Sequence, residues 1–487
     1  MFSDKLSRRQ FVSGVAVAAA GMALAACAPK ATPTPAAKPA QQPKAAPTSA
    51  AKPAQQPTAA PAQPTAAPAK KEQVTLRYMC RSGADYLPAV SKNIDEDFTA
   101  AQFPYIKVEV EPAPDGWVEK LLAQMVAGTA VDVFEAWGNI FYNWTERDLL
   151  LDLQPYVDAK MTDAEISDYN EFQWEGLFMK GKRVGMPKYI NLMTLTINKD
   201  YFDKYGVAYP PENGEWNHDD YTNMLATLTE KARAKGDKNV WAGWLPAWSW
   251  DRFWNHIHMF EGKIVDQKYG KICMMDQPEA QAALKWMYDM EWTWNYHAQP
   301  SQVENKWPGD TIAAGLIMTA EDGTYPISRN KLFRLEKGIR WDMRHVPKGP
   351  TGKRSVLGTT DAFSGTKQTK HPDETWELLH FLSGPIHQEK VIVKSNGIIP
   401  VLKSLIKKFI QIVREVEPTL NDVRLETIDE ILAWGYAEDT PWFCNQVAAT
   451  DIIIPALQKV FTDGGADHTY FIEIAKQVTE SQKDCKA

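Results

Sequence analysis

The sequence predicts an α/β fold divided between two lobes, and three observations carry that reading. From Val74 onward, strand-like and helix-like patterns alternate, which makes a parallel α/β sheet the default. Roughly 410 residues follow an N-terminal low-complexity stretch, too many for one hydrophobic core and comfortable for two. Near mid-chain, Gly181–Phe202 (GKRVGMPKYINLMTLTINKDYF) opens on a turn at Gly181-Lys182. It continues through β-favouring apolar residues on both sides of Pro187 and reaches Asn198-Lys199-Asp200, where a helix can begin. It reads as a strand feeding a helix.

The N-terminus is an export segment. Residues 1–26 combine a basic start with an apolar run from Phe11 to Ala26, too short and too lightly flanked for a dedicated spanning helix, and this predicts a cleaved signal. Ser7-Arg8-Arg9-Gln10-Phe11 matches the twin-arginine pattern, with a general secretory signal as the alternative. Leu24-Ala25-Ala26-Cys27 matches the lipobox of bacterial lipoproteins. A lipidated Cys27 would anchor the protein to a membrane without spanning it. Residues 27–72 are almost entirely Ala, Pro, Gln, Thr and Lys, and AAKPAQQP occurs at Ala36–Pro43 and again at Ala50–Pro57. No side chain there is large and apolar enough to offset the entropy of ordering, so the segment is expected to be a disordered tether. At about 3.1 Å per residue when extended it would reach on the order of 100 Å.

Composition narrows the partners. Fifty-four basic against 61 acidic residues give a formal net charge of −7, which recommends neither nucleic acid nor an anionic surface. Eighteen tryptophans are a heavy load, and their flat apolar faces suit stacking on sugar rings, although most are expected in the core. Beyond Cys27 stand Cys80, Cys273, Cys444 and Cys485. Export permits disulfides, and the spacings select none of the three complete pairings. No CxxC or Cys/His cluster has metal-ligand spacing, so no metal and no cofactor is expected. His256-x-His258 is read as an ordinary histidine pair.

Taken in order, Val74–Met79 is expected as the first strand, and Cys80-Arg81-Ser82-Gly83 as the loop at its C-terminal end, where ligands bind in open α/β sheets. A helix is expected over 86–102 and a second strand over Ile106–Glu111. Asp115 can cap a helix with the stripe Trp117, Leu121, Leu122, Met125 and Val126, ended by Gly128. After Gly181–Phe202 come Pro210-Pro211 and then Trp216-Asn217, opening an amphipathic helix to about Lys235. Asp276-Gln277-Pro278-Glu279 reads as a further helix start. Ile312–Met318 reads as a strand, His371–Leu379 as a helix stopped by Gly384-Pro385, and Leu405–Val416 as an amphipathic helix with lysines on its polar face.

Several of these stretches, in this order, resemble the maltose-binding-protein-like extracellular solute-binding proteins of ABC importers. The likeness runs through Ala127-Gly128-Thr129-Ala130-Val131-Asp132-Val133, Leu149–Tyr156, the Gly181–Trp216 region, Pro278-Glu279-Ala280, Ile312–Met318, Trp341–Pro350 and Asn396–Pro400. It covers nearly all of the chain from Val74, with departures: Val131 where proline is usual, Ile197-Asn198-Lys199 for Tyr-Asn-Lys, and Glu215-Trp216 for Thr-Trp. The resemblance implies a periplasmic-binding-protein-like fold, two α/β lobes joined by a multi-segment hinge, with residues 73–192 and 319–360 in lobe 1 and 193–318 and 361–487 in lobe 2. The crossings would be Gly181–Phe202, Ile312–Met318 and Leu357–Phe363.

It also implies where ligand would be touched. Glu135 and Trp137 follow the third strand, Tyr189 lies on the first crossing, and Trp248, Trp250 and Asp251 fall in a tryptophan-rich stretch where the family delivers a loop to its cleft. Glu321 and Tyr325 follow the second crossing, Asp361 lies on the third, and Trp442 opens the last helix pair. The function implied is a membrane-tethered, monomeric extracellular receptor that delivers a mono- or oligosaccharide to the transmembrane subunits of an ABC permease, with no chemistry of its own. The same fold with a peptide, polyamine or glycerol-phosphate ligand is the alternative. A polyamine needs several convergent carboxylates and a phosphate several donors, neither of which is clear among these candidates. A secreted glycosidase would need two carboxylates about 5 to 10 Å apart, and no nucleophile elbow, HExxH or Gly-rich phosphate loop is present. A redox protein, which a twin-arginine signal also allows, lacks cysteine clusters and a dinucleotide fingerprint.

Overall fold

The computed structural model describes residues 71–81, 86–114, 116–247, 249–304, 306–435, 437–438 and 441–485. The expected signal, Cys27, residues 27–70 of the tether, the Asp115 cap and Trp248 lie outside the described residues. In chain order the strands are β1 (Val74–Cys80), β2 (Ile106–Pro112), β3 (Val133–Trp137), β4 (Phe178–Met179), β5 (Lys182–Arg183), β6 (Met186–Leu192), β7 (Leu195–Asn198), β8 (Trp241–Trp244), β9 (Ile317–Glu321), β10 (Trp341–Arg344), β11 (Val356–Gly365) and β12 (Ala437–Glu438).

They form two main sheets. The larger runs β12-β11-β3-β1-β2, with β6 also paired to β11. Here β1 is parallel to β2 and β3, while β11 runs antiparallel to β3 and β6. The smaller runs β10-β7-β9-β8. Only Met193 and Thr194 separate β6 in the first sheet from β7 in the second, so the Gly181–Phe202 stretch is a crossing between sheets. Every residue of β6 and β7 is buried, the polar Lys188, Asn191, Thr196 and Asn198 included.

Local signals set the element ends. Gly128 closes the helix Trp117–Ala127 at φ 74°, and Asn198 accepts from the Asp200 amide to start Lys199–Tyr205. Asn217 and Asp220 form a reciprocal capping box ahead of His218–Ala234. Two expectations differ. Ile312–Met318 is not one strand: Pro308 opens a helix, Pro308–Ala313, Gly315 ends it in the left-handed region, and β9 begins at Ile317. Asp276 does not cap the helix Pro278–Tyr288, which starts after an extended Gln277 without a side-chain cap.

The expected lobe boundaries also differ from the strand pairing. β9 and β10, expected with the first lobe, hydrogen-bond to β7 in the smaller sheet. The chain returns to the larger sheet at β11 and stays there through the helix Pro372–Ser383, which packs on β11, β6 and β1. The reason is that β9 turns back at Gly323 instead of passing over. Thr194 Oγ1 donates to the Gly323 carbonyl at 2.7 Å, and Asn191 Oδ1 accepts from the Thr324 amide and hydroxyl, both at 2.8 Å. Gly323 has φ +66°, and a Cβ there would sit 2.7 Å from Asn191 Oδ1, so only glycine fits. The C-terminal helices Gln446–Phe461 and Tyr470–Ser481 pack against each other and are tied by a disulfide, Cys444–Cys485. Cys80 and Cys273 are buried thiols.

Candidate functional site

Three neighbouring strands bring three candidates into one row. Asp361 on β11 is directly opposite Trp137 on β3 and Tyr189 on β6. Residues opposite one another across paired strands project to the same face, so an indole, a carboxylate and a phenol stand side by side. The β6–β11 register shifts between Asp361 and Ala362, immediately after this row; such irregularities re-aim side chains at the ends of ladders. The row lies at the C-terminal end of β3, the position where open sheets bind ligands.

Arg81, one residue beyond β1, reaches over that row. Its guanidinium lies 4.2 Å from the Trp137 ring centroid, and it donates to Asp361 Oδ1 at 3.1 Å and to the Tyr189 hydroxyl at 3.4 Å. Burial disfavours its charge, but Tyr189, Asp361 and Glu135 outweigh that and raise its pKa further. The sequence placed its loop at the strand end without singling out Arg81; the loop position was the signal.

Glu135 lies beneath, fully buried, and both its oxygens are engaged. Tyr78 donates its hydroxyl to Oε1, the Arg81 amide donates to Oε2 at 2.9 Å, and Lys188 pairs with Oε2 at 2.5 Å. Burial alone would raise the carboxyl's pKa; Lys188, Tyr78 and Arg81 bring it below the usual carboxylate range. In this structure Glu135 holds the Arg81 backbone, and with no exposed surface and both oxygens accepting from protein donors it is not presented for the expected hydroxyl contact.

From the second sheet, Tyr325 meets the row. The Tyr325 and Tyr189 phenols are close enough to act on one another's titration, and burial together with Asp361 pushes the Tyr325 hydroxyl up to about 12. Asp322, beside the Gly323 turn, is pushed up to about 7 by burial, which Arg252 and Arg329 only partly offset. Glu321 faces inward: its Oε2 pairs with His256 at 3.2 Å, and burial is outweighed by His256, His297 and Arg252 so that it stays ionised. Burial brings His297 down to about 4. Trp250 and Asp251 occupy the first turn of the helix Trp250–Met259; only their backbone is described.

Trp442 is brought to the site's edge but is covered. It stacks on Tyr142 of the helix Gly138–Glu146, which follows β3, with ring centroids 5.6 Å apart. Tyr269 stacks on Tyr142 at 5.3 Å, and the Tyr142 hydroxyl donates to the Cys444 carbonyl at 2.8 Å. Tyr142 thus couples a helix of the larger sheet to the disulfide-tied C-terminal segment. Of the ten expected residues, Trp137, Tyr189, Tyr325 and Asp361 converge around Arg81. Glu135 and Glu321 lie below as paired groups, and Trp442 sits beside them.

A family model described as bacterial extracellular solute-binding protein matches residues 82–389. The chain belongs to that family. This solute-binding protein is 24% identical over 350 residues to a binding protein of Brucella abortus, covering 70% of this chain and 78% of the relative. Among solved structures, the ABC substrate-binding protein of Listeria monocytogenes in complex with cycloalternan superposes with a TM-score of 0.72 at 21% identity, over 85% of this chain and 99% of that one. A maltose-bound T. maritima protein gives 0.67 at 20%, over 84% and 99%. A Mycobacterium tuberculosis protein in complex with glycerophosphocholine gives 0.67 at 15%, over 85% and 98%. The solute-binding protein therefore has the periplasmic-binding-protein-like fold, and its family works outside the cytoplasm with ABC transporter permeases.

Proposed function

We propose that this solute-binding protein captures a carbohydrate, a mono- or oligosaccharide, between its two sheets and delivers it to an ABC permease, held to the membrane by acyl chains on Cys27. The observation that carries the ligand class is the Trp137–Asp361–Tyr189 row facing Tyr325. Aromatic faces cover the C–H faces of a sugar ring while a carboxylate, a guanidinium and two phenols exchange hydrogen bonds with its hydroxyls. Ligand bound between two segments joined at Met193-Thr194 would favour the closed arrangement by its differential affinity for it. The relatives solved with cycloalternan and maltose support this reading. Cys27 in Leu24-Ala25-Ala26-Cys27 supports the anchor. No catalytic step is assigned to the protein, and it is taken to act as a monomer.

A non-sugar solute is the second reading, favoured by Arg81 in the row and by the relative solved with glycerophosphocholine. A thermal-shift screen of the purified protein tests both, because a ligand specific to the native state raises the melting temperature with its concentration over Kd. Neutral or acidic sugars, peptides, polyamines and polyol phosphates form the arms. A rise confined to sugars and lost in Trp137→Ala and Tyr325→Ala is expected. A rise confined to another class would keep the receptor and overturn the carbohydrate.

A further inference from the structure

Arg252 lies on the first turn of the helix Trp250–Met259 and is only 7% exposed. A buried guanidinium ordinarily meets carboxylates or carbonyls with its five donors, because leaving donors unmet costs the full desolvation of a charge. Arg252 does not. Among the described residues its side chain's one hydrogen bond goes to the Met193 thioether at 2.9 Å, a weak acceptor, and its Nε has no partner. Its guanidinium carbon lies 5.9 Å from the Trp307 ring centroid.

The nearby carboxylates do not complete it. Glu321 is committed to His256, and Asp310 to Arg329; neither they nor Asp322 come within ion-pair distance of Arg252. Burial raises the Asp322 carboxyl to about 7, so it is a weaker counter-charge than an ordinary aspartate. One turn further along, Asn255 is buried with both amide atoms lacking a hydrogen bond among the described residues, and both ring nitrogens of His256 likewise lack one. The helix itself begins at Ser249 without a side-chain cap, so its first amides add positive potential at the same end. Met193 lies between β6 and β7, so its contact with Arg252 sets the guanidinium at the crossing between the two sheets, where its charge is also felt by Tyr325.

We propose that the solute carries an anionic group, a carboxylate or a phosphate, and that Arg252 is the side chain that receives it, with Asn255 taking an adjoining polar atom. This rests on the reading of the crossing as the ligand site. Arg81 is already offset by Asp361, so Arg252 supplies the charge that discriminates an acidic ligand from its neutral analogue. Capture requires no bond to be made or broken: the anion accepts from Nε and a terminal nitrogen, displacing the contact to the Met193 sulfur.

The test is calorimetric titration of the purified protein with three arms: maltose and maltotriose; galacturonate and digalacturonate; glucose 6-phosphate and glycerol 3-phosphate. Arg252→Met and Arg252→Lys are compared with the wild type, and their unliganded melting temperatures are recorded first. Binding in an anionic arm is expected, weakened about 10- to 150-fold in Arg252→Met, as loss of hydrogen bonds to a charged group implies. The two anionic arms separate carboxylate from phosphate. If Arg252→Met does not fold, Arg252→Lys is read instead: it keeps the charge but loses the planar fork, and must still bind more weakly than wild type. Tight binding of neutral sugars with no preference for acidic ones, unchanged in the variants, overturns the anion and keeps the carbohydrate. Binding of glycerol 3-phosphate alone, lost with Arg252, keeps the anion and overturns the carbohydrate. Silence in all arms overturns both.

Discussion

Lys188→Met isolates the buried pair that carries the site's floor. Lys188 and Glu135 are almost wholly inaccessible and 2.5 Å apart. Removing the ammonium leaves a carboxylate with Tyr78 and the Arg81 amide but without its directly paired counter-charge, only the more distant Arg81 guanidinium. Breaking one side of such a pair costs about 3–5 kcal/mol. With an unfolding entropy of about 2.1 cal/mol/K per residue over roughly 400 residues, that lowers the melting temperature by about 4–6 °C if both halves unfold together. Glu135→Gln in the same chain removes the orphan charge and keeps the oxygen that the Arg81 amide donates to, so the double variant should recover most of the loss. Scanning calorimetry on the wild type, both single variants and the double variant closes the cycle. A single-variant loss below about 1 kcal/mol, or a double variant as unstable as the two single losses added, refutes the reasoning.

Asp322 gives a pH dependence. Its pKa is raised from 3.8 to about 7 in the folded chain, so the native state binds the extra proton. The associated stability is fully present below about pH 4 and is lost as pH rises through 7, up to about 4 kcal/mol in all; Asp322→Asn should flatten that part of the melting-temperature profile. Reducing Cys444–Cys485, which closes a loop of 41 residues, should cost about 4 kcal/mol on the chain-entropy account, read as a lower melting temperature with dithiothreitol that Cys444→Ser/Cys485→Ser reproduces without it. A double-mutant cycle on Tyr142→Leu and Trp442→Leu should show coupling of about 0.5–1.5 kcal/mol from the stacked pair; zero coupling would mean the rings merely fill space.

Much of the fold is legible from residue order because its signals are local. The alternation over Val74–Cys80 and Ile106–Pro112, the glycine at 128, the Asn198 and Asn217 caps and the β-favouring residues of β6 and β7 each depend on a few neighbouring residues and elementary backbone preferences. Resemblance to a family supplied the candidate positions, and the register of β3, β11 and β6 sets three of them, Trp137, Asp361 and Tyr189, around Arg81.

What only the tertiary structure decided is where the charges end. Sequence alone gives Glu135 as a carboxylate at a strand end; that Lys188 and Tyr78 consume it depends on strands separated by some fifty residues meeting in one sheet. Asp361 and Arg81, 280 positions apart, become partners through the same pairing. Trp442 is an exposed-looking aromatic until Tyr142 stacks on it, and β9 reads as a crossing until Asn191 and Thr194 fold it back at Gly323. Arg252 is the sequence neighbour of Asp251 and nothing local marks it, because a side chain's lack of a partner is a property of its surroundings. Local preference acts over a few residues and is written in their order, whereas burial and charge compensation are set by groups that meet only when the chain is folded.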